Sequence, residues 1–104
     1  MANNDNLKID LGAGRKGMIN ESWLAMFGGW LEWLIKGLGV GNASITGKRA
    51  EIESFLDAVS GEKKYIDTVS RYGLKDPKTF NTHSSLMNAI GEFERETGIK
   101  WPIK

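Results

Sequence analysis

A chain of 104 residues with fourteen Lys or Arg against thirteen Asp or Glu can build one modest core at a formal charge of +1. Its charges are balanced along the chain, so neither half is the basic module that non-specific binding to phosphate backbones requires. It contains no cysteine, which excludes a disulfide scaffold, a thiolate zinc site and a cysteine nucleophile.

The first six residues are polar, lack the basic start of a secretory signal, and are expected to fray. Leu7-Lys8-Ile9-Asp10-Leu11 alternates apolar and polar residues, the pattern of a short half-buried strand that needs a pairing partner. A glycine-rich basic loop, 12–17, follows. Asn20 is placed to cap a helix over 21–38, with Glu21 at the positive end of its dipole. On that helix Trp23, Leu24, Met26, Phe27, Trp30, Leu31, Trp33, Leu34, Ile35 and Leu38 share an arc of roughly 200°. Large aromatics in such number exceed the apolar patch that a soluble monomer leaves open, so the rest of the chain, a second copy, another protein or a lipid surface must cover them. Glu32 and Lys36 would each cost roughly 2.5–3.5 kcal/mol near a bilayer centre, which argues against a membrane-spanning role.

Residues 42–46 suit a second short strand or the approach to the next helix. Ile52, Phe55, Leu56 and Val59 recur at helical spacing over 47–60, with Glu51 outside the stripe. Ser60-Gly61 reads as an interruption, after which Tyr65, Ile66, Val69 and Tyr72 mark a helix over 62–72. Gly73 is expected as a left-handed C′ residue with Leu74 as its apolar contact. Phe80 is expected to plug the following loop into the core. The last helix, 83–97, turns Leu86, Ala89, Ile90, Phe93 and Thr97 inward. Gly98-Ile99 repeats the Gly73-Leu74 ending, and the tail after it, which carries Trp101 and Ile103, is expected to pack back. The fold class is therefore all-α, a bundle of about four helices with a short extended N-terminal arm. It divides as an arm plus Trp-rich helix, 1–41, and a three-helix domain, 42–104, or forms a single domain over 1–104.

Gly12-x-Gly14-x-x-Gly17 matches the dinucleotide fingerprint in spacing, yet no strand ending in an acidic residue about twenty positions on completes it. Gly41 to Lys48 departs from a phosphate loop, with one residue too many and Arg49 where Ser or Thr would hold magnesium. His83 has Ser84 and Ser85 beside it in sequence, but adjacent helical residues diverge. Glu92, Glu94 and Glu96 spread over an outer helix face. No catalytic, cofactor-binding or metal-binding residues are assigned, and no small-molecule substrate is expected. Lys63, Lys64, Arg71, Lys75 and Lys78 line one helix and turn of a possible helix-turn-helix, the nucleic-acid alternative, but its recognition helix would present Arg95 among three glutamates.

Across 47–102, Glu-Lys-Lys-Tyr, Arg-Tyr-Gly-Leu-Lys-Asp-Pro-Lys-Thr and Glu-Phe-Glu-Arg-Glu-Thr-Gly-Ile-Lys-Trp-Pro resemble small accessory proteins of tailed bacteriophages, especially those of marine cyanobacteria. The resemblance implies a viral accessory or virion-associated protein, located in the cytoplasm or in a virion, and assigns no site residues. The functional expectation is a non-catalytic protein-interaction or assembly module. Trp23, Phe27, Trp30, Trp33 and Leu34 are its anchors, and the partner is itself or another protein. Trp30, near the middle of the arc, is expected to matter more than Trp33 at its edge. An interfacial membrane-active protein is the third reading.

Overall fold

The computed structural model describes residues 7–38 and 43–103. The alternating stretch forms strand β1, Leu7–Asp10, which pairs in parallel with β2, Ala43–Thr46, in a register running from Leu7↔Ala43 to Asp10↔Thr46. Parallel neighbours cannot be joined by a tight turn, so the chain between them must cross over. Helix α1, Glu21–Trp33, lies in that crossover and continues as a π-helical turn, Leu34–Leu38. Asn20 caps it as expected, its side-chain oxygen accepting from the Trp23 N–H at 2.9 Å.

Helices α2, Arg49–Tyr72, and α3, Pro77–Thr97, pack side by side in antiparallel along their lengths. The described chain is thus mostly helical, but with three helices and a two-stranded sheet where a four-helix bundle was expected. The expected helices at 47–60 and 62–72 are one. Gly61 does not break α2, because it is the point where α3 approaches. A Cβ there would stand 3.2 Å from Leu86 Cδ1, tighter than ordinary contact. A glycine that costs about 1 kcal/mol in helix propensity is thereby kept for close packing.

The last helix starts at Pro77, six residues before the expected position, because the Asp76 side chain accepts from the Lys78 N–H at 2.8 Å and proline suits the first turn. That shift also reverses the expectations for Phe80 and Leu74. Thr79 takes the buried position and donates its hydroxyl to the Gly73 carbonyl at 2.6 Å, leaving Phe80 72% and Leu74 69% exposed. Gly73 takes positive φ, +84°, but its ψ of 168° makes it extended and not left-handed as expected. The second glycine ending behaves as expected: Gly98 is left-handed, Ile99 is buried, and the tail turns back. The Glu94 carboxylate holds it by accepting from the Trp101 backbone N–H at 2.8 Å.

One aromatic cluster joins these elements. Phe27 stacks on Trp23 at 5.2 Å and on Phe93 at 5.9 Å, and meets Phe55 at 6.0 Å and Trp101 at 6.5 Å. Ile9, Leu11, Leu31 and Leu34 complete it from the N-terminal side. The core therefore draws on residues both before and after position 42.

Candidate functional site

Of the five anchors expected on α1, the structure buries Trp23, Phe27 and Leu34 in the chain's own core, half-buries Trp30, and leaves Trp33 42% exposed. Trp30 packs edge-on against Trp23 at 6.1 Å, so part of it belongs to the core wall. At about 100° per residue Met26, Trp30 and Trp33 fall within an arc of roughly 60°, and Met26 is 50% exposed. Gly29 lies beside them, exposed, and a Cβ built on it meets nothing within 4 Å. A Cβ built on Gly28, its neighbour in sequence, would stand 3.6 Å from Pro102 of the tail. An apolar stripe flanked by a small residue thus remains uncovered after the core has closed.

The glycine-rich loop does sit between two parallel strands, the context in which a dinucleotide fingerprint would operate. Its groups are committed elsewhere. Gly12 N–H donates to Asp10 Oδ1 at 2.9 Å, and a Cβ at Gly14 would collide with the carbonyl oxygen of Thr97, so this glycine admits the end of α3. Arg15 forms a two-point bond to the buried carboxylate of Glu51, Nε to Oε2 at 2.8 Å and NH2 to Oε1 at 3.0 Å. Glu51 Oε1 also accepts from the Lys48 N–H at 2.7 Å, and a Cβ at Gly47 would stand 2.9 Å from that oxygen. The Arg15 bond, helped by the Lys48 N–H, holds the Glu51 carboxyl below its ordinary range. Its stabilising effect is complete above that range and is lost as pH falls through the depressed value. Glu21 opposes an anion at the start of α1, and the Asn20 side chain already takes the Trp23 N–H that a pyrophosphate would use. Gly41 lies outside the described residues, and Gly47 serves the start of α2.

The five basic residues Lys63, Lys64, Arg71, Lys75 and Lys78 are all exposed. Arg71 pairs with Asp67 at 3.1 Å, Lys78 sits over the Tyr72 ring at 4.4 Å, and Lys63 borders a shallow depression with Ile35 and Asp67. The segment drawn as helix-turn-helix folds as an antiparallel hairpin, so α3 lies against α2 along its length. The His83 ring lies 5.2 Å from that of Tyr65, tilted by 55°, and is exposed. Among the described residues no three His, Asp or Glu side chains are placed to hold a metal ion, and no helix is long and apolar enough to cross a membrane.

Glu62 is the residue that the sequence reading left out. It is 5% exposed on α2 and lines a cleft of about 620 Å³ between α2, α3 and the tail. Burial pushes its carboxyl up from the ordinary value, partly offset by the Trp101 indole and by His83. The signal was present: Phe55, Val59 and Glu62 stand at i, i+4 and i+7, so the inward stripe of α2 runs into a carboxylate. Glu51, likewise placed outside the stripe, sits three residues after Lys48, the capping-box position.

The chain matches no family model, no curated protein and no solved structure.

Proposed function

We propose that this protein is a non-catalytic assembly module that pairs with a second copy of itself through the Met26–Trp30–Trp33 stripe of α1. The observation that carries the reading is that these three large side chains still reach solvent, side by side, although the same helix supplies the core with Trp23, Phe27, Leu31 and Leu34. Three features favour a second copy as the occupant. Gly29, and Ser22 two turns before it, let another helix approach closely without displacing any side chain of this one. An antiparallel pair centred between Gly29 and Trp30 sets Met26 against the partner's Trp33. A net charge of +1 gives copies little reason to repel each other. The resemblance to tailed-phage accessory proteins supplies a setting in which such assembly is useful, a virion or its precursor.

Because Trp33 is the more exposed of the two outer tryptophans and Trp30 is partly wall of the core, the expected order of importance reverses at the interface. Trp33→Ala removes an interface anchor and little of the fold. Truncating such an anchor costs about 2 kcal/mol or more, roughly a thirtyfold rise in the dimer Kd. Light scattering after size exclusion is expected to give a dimer mass for the parent protein and a monomer mass for Trp33→Ala, with far-UV helicity unchanged. A monomeric parent at the same concentration contradicts the proposal.

A further inference from the structure

The cleft between α2, α3 and the tail has a composition that the assembly reading does not use. Its walls are the rings of Tyr65 and Trp101 with Leu86 and Ile90, and its polar groups are the carboxyls of Glu62 and Glu94 with the imidazole of His83. No Lys or Arg lines it. Glu62 is almost wholly buried and, among the described residues, makes no ion pair. The indole N–H of Trp101 is buried beside it and completes no hydrogen bond of normal geometry, although it lies near enough to favour the ionised carboxylate. A buried acid without a cation and a buried donor without an acceptor, in one apolar cleft, are two costs with one remedy.

We propose that this cleft receives a basic side chain, lysine or arginine, presented by a protein partner, with Glu62 as its counter-ion. The stem of such a side chain lies along Leu86 and Ile90, its charged head reaches Glu62, and the faces of Tyr65 and Trp101 add cation–π attraction. A Glu62 ionised by that charge is also a full acceptor for the Trp101 indole, so one ligand gives the acid a counter-ion and the buried indole its acceptor. Glu94 contributes a second negative charge while it continues to accept from the Trp101 backbone N–H. The groups that face Glu62 and titrate are Tyr65 from α2 and His83 and Glu94 from α3. A protonated His83 competes with the ligand, and His83 is therefore followed in the same titration.

The test uses the full chain labelled for NMR and three probes: the N-acetyl methylamides of arginine, lysine and norleucine, the last being the apolar stem without a charge. For ligands of this size a Kd of about 1 mM is the expected scale. Arginine and lysine probes are expected to shift the Trp101 indole N–H, norleucine is not, and Glu62→Gln is expected to weaken the cationic probes at least tenfold. Equal binding of the norleucine probe, or no shift with any probe well above that concentration, overturns the proposal. Should Glu62→Gln not fold, the wild-type protein decides. The midpoint of the Glu62 carboxyl carbon titration moves to lower pH when the arginine probe is present, and an unmoved midpoint, with His83 monitored alongside, contradicts it.

Discussion

Phe27→Ala is expected to cost about 3–5 kcal/mol, a large share of the roughly 5–15 kcal/mol that holds a domain of this size folded. Phe27 is fully buried and touches four aromatic rings, Trp23, Phe55, Phe93 and Trp101, drawn from α1, α2, α3 and the tail. None of these can move into the space without losing its own ring contacts, so the cavity cannot collapse cheaply. At about 4 °C or more per kcal/mol, the melting temperature of the variant should fall by more than about 10 °C. A circular dichroism melt reads this directly, and a fall of only a degree or two would mean that α1 is not a core element.

The fragment 45–104 is expected to lose its cooperative melt altogether. The sequence alone suggested that three striped helices with Phe80 and Trp101 would close a core without the first forty residues. In the structure Phe80 faces solvent, and the hairpin relies on Phe27, Leu31 and Leu34 to cover Phe55, Phe93 and Trp101. Removing the N-terminal segment exposes those three rings, each with roughly 150–250 Å² to bury, and strips β2 of its only strand partner among the described residues. It also removes Arg15 from the buried Glu51 carboxylate, leaving a charge without its counter-ion. Far-UV helicity that declines gradually on heating is the expected trace. A sharp sigmoidal melt would show that the hairpin and tail are a domain in their own right.

What the sequence made legible was what local chemistry decides. The cap at Asn20, the inward face of α3 and the return of Trp101 follow from residues whose partners lie within a few positions or whose apolar character leaves one option. The failures have a common cause, contacts made across the chain. Gly61 looks like a helix breaker until Leu86 is seen against it, and Phe80 looks like a plug until Thr79 is seen bonded to Gly73. The parallel pairing of β1 with β2 joins two four-residue segments far apart in sequence, and nothing in either names the other. The candidate surfaces divide in the same way. The aromatic arc of α1 was visible at once, but which part of it stays uncovered depended on where the other elements landed. Glu62 is a carboxylate just past the supposed break at Ser60-Gly61, and only on the unbroken helix does its spacing from Phe55 and Val59 point it inward.

The pairing of α1 with its copy is tested most directly by cross-linking, for which a chain free of cysteine is well suited. Gly29→Cys introduces one thiol beside the stripe, level with its middle, where an added Cβ meets no atom of its own chain within 4 Å. In an antiparallel pair about 8 Å apart the two thiols face each other across the two-fold axis, within reach of the roughly 4.4–6.8 Å between Cα atoms that a disulfide spans. Gly91→Cys on α3 is equally open and serves as the control, since the proposed interface does not include it. Under mild oxidation Gly29→Cys is expected to run as a covalent dimer on a non-reducing gel, to lose that dimer when Trp33→Ala is added, and to leave Gly91→Cys monomeric under the same conditions. Equal cross-linking at both positions, or a Gly29→Cys protein that stays monomeric, would contradict the pairing of α1.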